Sequence, residues 1–307
     1  MAKHVAVLMG GFSSERPVSL KTGEACADAL ERAGYRVTRV DVDRNVSAAL
    51  AELKPDVAFN ALHGPFGEDG TIQGILEFLD LAYTHSGVLA SALAMDKEQS
   101  KKVARAAGVK VAESRVMDRH EIGNVHPMTP PYVVKPVTEG SSFGIVIVDE
   151  GQSVPPQSIG SKDWRYGDRV MVERFVHGRE LTCAVMGGVA LGVTEILPEG
   201  HEYYDYAAKY EEGGSRHVLP ADLKPSVYQD IQLMALKAHE AIGCRGVTRS
   251  DFRYDDRYSP NGEVVWLEVN TQPGMTATSL VPELAAHAGH SFEELVSWMV
   301  EDASTGR

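Results

Sequence analysis

The sequence predicts an α/β domain with a parallel sheet, followed by α+β segments built on antiparallel strands. Three observations predict it. Apolar strand-like runs alternate with helix-period segments over residues 1–95, which demands a parallel sheet with helices on its faces. Beyond residue 130, strand-like runs come in pairs joined by short turns rich in Gly, Ser, Asn or Asp, the mark of antiparallel hairpins. At 307 residues the chain exceeds one ordinary core and divides into two or three domains.

In chain order, residues 4–9 form a buried first strand, 19–33 a helix closed by Gly34, and 35–42 a second strand. Residues 56–62 make a third strand, 71–79 a helix, and Ala82-Tyr83-Thr84 a short fourth strand. The first domain spans residues 1–95. Ligands of such sheets bind at the carboxyl ends of the strands. Those ends are Gly10-Gly11-Phe12-Ser13-Ser14-Glu15 and the segment from His63-Gly64 to Gly67-Glu68-Asp69-Gly70. A helix over 96–107 opens a second, strand-rich domain at 96–179, with strands at 131–136 and 145–148. The third, 180–307, carries several strands, a long polar loop over 199–216, a helix over 225–242, and two acidic strands.

Composition removes several classes of function. Hydrophobic content of 43% and charged content of 24% are those of a soluble globular protein. The formal charge of -13 repels nucleic acid and anionic lipid alike, so neither is an expected partner. An anionic substrate must be held by local Lys and Arg against that field. The N-terminal apolar run is too short for a signal peptide, and no run approaches the roughly 18 apolar residues a membrane span needs. Cys26, Cys183 and Cys244 are far apart in apolar runs, as expected of buried free thiols in a reducing cytosol.

The acidic strands, 247–252 and 264–270, carry the most informative residues. Residues two apart on a strand share a face, so Arg249 and Asp251 share one face, and Glu268 and Asn270 another. If the strands pair, two carboxylates, an amide oxygen and a guanidinium converge. That donor set suits Mg²⁺, which takes few protein oxygens and leaves positions for water and phosphates. The implied chemistry is phosphoryl transfer from ATP. A bare surface hairpin is the competing reading, and Asn270-Thr271-Gln272-Pro273-Gly274-Met275, following at once, argues against it.

Gly140-Ser141-Ser142-Phe143-Gly144 lies between two strands, so it is a hairpin loop and not a P-loop, which opens a helix. Its N–H groups and hydroxyls suit phosphate oxygens; alone it is also a common glycine-serine turn. Lys135, inside the apolar run Val133-Val134-Lys135, is an odd core residue unless its ammonium meets an anion. Glu173-Arg174-Phe175-Val176 and Glu180 offer backbone contacts for an adenine and a carboxylate for a ribose.

With these residues in place, the chain resembles a known family. Lys135, the loop 139–144, Glu180, Arg249, Asp251, Glu268, Asn270 and Pro273-Gly274-Met275-Thr276 look like the ATP-grasp carboxylate–amine ligases. Gly10-Gly11-Phe12-Ser13-Ser14-Glu15-Arg16, His63-Gly64 with Gly67-Glu68-Asp69-Gly70, Met95-Asp96-Lys97, and Tyr204-Asp205-Tyr206 before Ala208-Lys209-Tyr210 narrow the resemblance to the D-alanine–D-alanine ligases. It covers almost the whole chain in the family's order.

The resemblance implies a three-domain ATP-grasp fold with an N-terminal parallel-sheet domain, and the joining of two D-alanines through an acyl phosphate for peptidoglycan precursor synthesis. It implies ATP and Mg²⁺ (two ions, with Mn²⁺ an alternative), a homodimer and a cytoplasmic location. By position, Lys97, Lys135, Ser142, Glu173, Glu180 and Lys209 bind ATP, and Asp251, Glu268 and Asn270 hold the metal. Arg249 and the N–H of Gly274 stabilise the oxyanion. Glu15 binds the first ammonium and His63 borders that pocket, while Ser279 and Leu280 approach the second carboxylate. Glu15, Ser141 and Tyr210 form a hydrogen-bonded group that closes a lid. Two positions depart from the usual pattern: Arg174, where lysine is frequent, and Phe143, where a smaller aliphatic residue is common.

Three other readings compete. One is a ligase of the same fold with another acceptor, such as D-lactate; another is a nucleotide-binding regulator without turnover. A Rossmann oxidoreductase fails because the first strand lacks G-x-G-x-x-G.

Overall fold

The computed structural model describes residues 2–140, 143–199, 214–257, 261–276 and 278–307. Its first sheet is parallel, in the order β2-β1-β3: β1 is His4–Gly10, β2 Arg36–Val42 and β3 Val57–Asn60. β1 is buried along its whole length, as a central parallel strand must be when both faces are covered. Its alternating residues go to different cores. Ala6 and Leu8 pack with α2 (Val46–Leu53) and α3 (Thr71–Phe78). Val5 and Val7 pack with α1 (Arg16–Arg32) and with residues from the far end of the chain.

Two antiparallel sheets follow. In the smaller, β4 (Ser114–Asp118), β5 (Tyr132–Pro136), β6 (Val146–Val148) and β7 (Arg169–Arg174) lie in the order β4-β7-β5-β6. In the larger, β8 (Arg179–Met186), β9 (Val189–Pro198), β10 (Ser215–Val218), β11 (Val247–Asp255) and β12 (Glu263–Asn270) lie in the order β10-β9-β8-β11-β12. Helices α4 (Val88–Met95) and α5 (Lys97–Ala106) connect the parallel sheet to these two. Although α5 leads into the smaller sheet, Ala104 and Val109 beyond it pack with Trp266 and Val269 of β12 and with α6 (Pro225–Ile242). At the end of the chain, α7 (Leu280–His287) and α8 (Phe292–Asp302) carry Leu284, Leu295 and Met299 into one core with Val5 and Phe59 of the first sheet and Leu30 of α1.

Three local features differ from the sequence reading. Residues 82–84 form no strand, only isolated bridges at Tyr83, parallel to Ala58 and antiparallel to Ser304, because Asp80 and His85 on either side take positive φ and cut the extended stretch short. Helices α2 and α4 are absent from the sequence reading; each is a short alanine-rich run whose N-cap, Asn45 or Gly87, makes no side-chain capping hydrogen bond. Helix α1 begins three residues earlier than expected, at Arg16, where Pro17 in the first turn supplies a preset φ. The helix at 225–242 agrees with the expectation, ending at Gly243 in the left-handed region. All three cysteines are free and buried, and burial pushes the Cys183 and Cys244 thiols up to about 12.

Burial also leaves two histidines neutral. His85 is pulled down to about 3 and His239 to about 4, in each case chiefly by desolvation; His239 also meets Thr248 at 2.8 Å. Folded values below the free value of 6.5 mean that the unfolded chain takes up protons first as pH falls. Stability is therefore full above that value and is lost between it and pH 4, at on the order of 1 kcal/mol per pH unit for each histidine. Urea titrations across this range should show the loss, and His239→Gln should flatten it; an unchanged slope in the variant would remove His239 from the account.

Candidate active site

The site is set by β11 and its two neighbours. β11 pairs with β12 so that Arg249 faces Asn270 and Asp251 faces Glu268. The register shifts between Asp251 and Phe252, with Leu267 as the extra residue on β12; such a bulge re-aims the side chains beside it. On the other side, β8 sets Thr182 opposite Asp251 and Glu180 opposite Arg253. The Arg249 guanidinium grips Asp251 through Nε at 2.9 Å and Nη2 at 2.8 Å, and the Thr182 hydroxyl donates to the same carboxylate at 2.7 Å.

Helix α5 brings the next cation. Asp96 is its N-cap, accepting from the N–H groups of Glu98 and Gln99 at 2.9 and 3.0 Å. That cap fixes Lys97 at the first helical position, where its ammonium meets Glu268 at 3.2 Å and the carbonyl of Glu139 at 2.5 Å. One cation thus joins β12, α5 and the glycine loop. Burial holds the Glu139 carboxyl above the usual range, against the opposing pull of Lys97.

Two cavities meet here, sharing Lys97, Glu139, Gly140 and Glu268 as their common wall. The first runs from Glu15 and His63 past Arg249 and Asn270 to Gly274, Ser279 and Leu280. The second is lined by Lys135, Phe143, Glu173, the segment 174–176, Glu180 and Asp251. Asp251 therefore opens to one cavity, Asn270 to the other and Glu268 to both.

In the first cavity, Glu15 is 5% exposed. A β-carbon on Gly64 would lie 2.7 Å from its carboxylate, and one on Gly140 would lie at 3.4 Å. Glycine at both places lets the backbone of two domains approach one acid. His63 is held on both ring nitrogens, by Thr22 at 3.0 Å and Glu68 at 3.2 Å. Beyond β12, the Gln272 amide bonds the Asn60 carbonyl and Asn60 donates back at 3.2 Å, pinning this turn to the end of β3. Asn270 accepts from the N–H of Gln272 at 2.7 Å. Ser279 leads into α7, and its hydroxyl accepts from the N–H of Thr276 at 2.9 Å.

In the second cavity, Lys135 lies on β5 two residues beyond Val133, the partner of Glu173 on β7. The diagonal neighbours form an ion pair of 2.6 Å. Glu180 is met by Arg253 at 3.3 Å. Arg174 turns to Glu263 at 2.7 Å, and Phe143 stacks on Tyr166 with ring centroids 6.5 Å apart.

Thus Glu15, His63, Lys97, Arg249, Glu268, Asn270, Gly274, Ser279 and Leu280 share the first cavity, and Lys135, Glu173, Glu180 and Asp251 line the second. Ser141, Ser142, Lys209 and Tyr210 lie outside the described residues. Among the described residues, no three His, Cys, Asp or Glu side chains form a metal cluster; the oxygen donors gathered here are two carboxylates and one amide. They fit a hard divalent cation in kind, and each carboxylate already draws a cation to itself, Arg249 on Asp251 and Lys97 on Glu268. Sequence reasoning missed Arg253. It donates to the carbonyls of Val176 at 3.0 Å and Gly178 at 2.9 Å and lies over the Phe175 ring, tying the turn between β7 and β8 to the acidic strand. Its alternation with Arg249 and Asp251 was the available signal.

Two antiparallel sheets facing each other across a cleft, with an acid pair at its floor and a glycine hairpin at its rim, define the ATP-grasp fold. The comparisons with known proteins narrow this. A model described as "D-ala D-ala ligase C-terminus" matches residues 103–301, and one described as "D-ala D-ala ligase N-terminus" matches residues 45–86. D-alanine–D-alanine ligase B of Mesorhizobium japonicum is 75% identical over 99% of this chain and 98% of its own length. The D-alanine–D-alanine ligase of Rhizobium meliloti is 73% identical over the same shares. Among solved structures, D-alanine–D-alanine ligase from Bacillus anthracis complexed with ATP superposes with a TM-score of 0.81 at 27% identity, covering 98% of this chain and 97% of that one. The VanG D-Ala:D-Ser ligase of Enterococcus faecalis gives 0.79 at 28%, covering 98% and 99%. The chain belongs to the D-alanine–D-alanine ligase family.

Removing Arg253 should loosen both Glu180 and the 176–178 turn. Arg253→Ala is expected to weaken binding of an ATP analogue by on the order of tenfold, the loss typical of a charged hydrogen-bond set, with D-alanine affinity little changed. Titration calorimetry with each ligand checks this; equal weakening of both would point to a general loss of fold.

Proposed function

We propose that this protein joins two molecules of D-alanine into D-alanyl-D-alanine at the expense of ATP, through an acyl phosphate, as a step of peptidoglycan precursor synthesis. The observation that carries the reading is the common wall. Lys97, Gly140 and Glu268 stand between a cavity with the chemistry for amino acids and one with the chemistry for a nucleotide, where a phosphoryl group must cross.

In the second cavity, Glu180 takes the ribose hydroxyls, the backbone at Glu173 and the residues after it meets the adenine, and Lys97 and Lys135 hold phosphate oxygens, with Ser142 and Lys209 completing the set. Asp251, Glu268 and Asn270 would hold magnesium, two ions by this reading, with manganese also suited to the oxygen donors. When bound, the metal neutralises phosphate charge and aligns the γ-phosphate. In the first cavity, Glu15 meets the ammonium of the first D-alanine with His63 beside it. The carboxylate of that D-alanine then points to the common wall, where its oxygen attacks the γ-phosphorus of ATP; the bond to ADP breaks, ADP leaves, and the acyl phosphate so formed is electrophilic. The start of α7, at Ser279 and Leu280, orients the carboxylate of the second D-alanine, since a helix N-terminus attracts anions. The second amine, having lost its proton, attacks the acyl carbon; Arg249 with the N–H of Gly274 takes up charge on the tetrahedral oxygen, and inorganic phosphate leaves as the amide forms. Glu15, Ser141 and Tyr210 close the lid over the acyl phosphate, keeping out water that would hydrolyse it.

No helix among the described residues is long and apolar enough to cross a membrane. A cytoplasmic location and a homodimer are part of this proposal, the first supported by the free buried thiols.

Incubating the protein with ATP, magnesium and D-alanine should give ADP, phosphate and the dipeptide by mass spectrometry. ATP turnover indifferent to D-alanine, or equal use of L-alanine, would contradict the reading. Glu268→Gln keeps the shape but removes a charge beside the phosphates, so kcat should fall by a factor on the order of 10² or more. Near-normal turnover of a folded variant at saturating magnesium would remove Glu268 from the metal site.

A further inference from the structure

Lys101 has no place in the mechanism above, yet at 2% exposure it is the most deeply buried cation among the described residues. It lies on α5 one turn after Lys97 and on the same face. Its ammonium forms an ion pair with one oxygen of Glu173, while the other oxygen holds Lys135 at 2.6 Å. Glu173 and Lys135 line the second cavity, and Lys101 stands behind them, outside the lining. The three groups form a line from the core to the nucleotide cavity.

A lysine in this position needs a reason, because an aliphatic side chain would fill the space without giving up hydration. Burial draws the Lys101 ammonium down to about 8, with Glu173 opposing the shift. Burial alone would raise Glu173, but the two ammonium groups outweigh it and hold the carboxyl below its usual range. The line is thus ammonium, carboxylate, ammonium, with one acid shared between two lysines. Without Lys101, Glu173 would be left to Lys135 alone, and the charge this cluster adds to the wall beside Lys97 would fall by one unit. In a chain of net charge -13, that difference falls where an anion must be held.

We propose that Lys101 is a positioning residue for the nucleotide: by occupying one oxygen of Glu173, it orients that carboxylate and leaves Lys135 net positive toward the polyphosphate. The proposal rests on the reading that the second cavity takes ATP.

The test is a charge-balance series in the full-length enzyme, with KM for ATP and for D-alanine measured separately. A unit charge removed close behind a phosphate site, at an effective dielectric near 20, shifts binding on the order of tenfold. Lys101→Met should therefore raise KM for ATP about tenfold or more and leave KM for D-alanine nearly unchanged. Lys101→Arg should stay near the wild type. The decisive variant is Lys101→Met combined with Glu173→Gln, which restores one net positive charge and leaves no unbalanced acid in the core; its KM for ATP should return toward the wild type.

If Lys101 only props the fold, the double variant will be no better than Lys101→Met, and that result overturns the proposal, as does an unchanged KM for ATP in Lys101→Met. If Lys101→Met does not fold, the double variant decides alone: a KM for ATP still raised tenfold overturns the proposal, and a value near the wild type supports it. Lys135→Met separates this proposal from the reading beneath it. No effect of that variant on ATP would show that the nucleotide lies elsewhere, whereas an effect there without one in Lys101→Met would sink the Lys101 proposal only.

Discussion

The structure depends on one strand register, that of β11 against β12. Setting Asp251 opposite Glu268, and Arg249 opposite Asn270, gathers two carboxylates, an amide and a guanidinium within two residue steps on adjacent strands. A slip of one residue would send each to the other face of the sheet. The register is held by packing beneath it: Trp266 is fully buried, and its indole N–H donates to Ser250 at 3.1 Å, while Phe252 and Val269 share its core. The face that carries the two acids is thus specified from the apolar face below.

Around that floor the fold solves an electrostatic problem. The chain as a whole repels anions, and the proposed substrates are anions. The answer is local: Lys97 and Lys135, from one helix and one strand, line the cleft and Lys101 stands behind them, each with a defined acidic or carbonyl partner. Ion pairs at a water-filled surface contribute little. These are at most 9% exposed, so their partners govern both charge and direction, and removing one member of a set changes what the others present to the cleft.

The first cavity exists only because distant parts of the chain meet. Asn60 and Gln272 are bonded to each other across 212 residues of sequence, and α8 shares a core with β1 and α1. Glu15, at the N-cap of α1, lies beside Gly140 in the loop that follows β5 of the smaller sheet. A site so divided assembles with the tertiary structure as a whole, which suits an enzyme that must admit two amino acids and a nucleotide and then exclude water.

By itself the sequence determined the parallel sheet, the glycine hairpin, the helix at 225–242 and the two acidic strands, because each rests on local periodicity and turn chemistry. It also determined which face carries Arg249, Asp251, Glu268 and Asn270, since a period of two needs no knowledge of the partner strand. The tertiary structure decided what lies far apart in the chain: that α5 packs on the larger sheet, that Lys101 backs Glu173, and that Arg253 ties Glu180 to the turn before it. Residues 82–84 went the other way: a strand-like run became isolated bridges at Tyr83 because positive φ at Asp80 and His85 interrupted it. A buried lysine and a buried leucine can occupy the same helical stripe, and only the carboxylate arriving from β7 distinguishes a packing position from part of a charged wall.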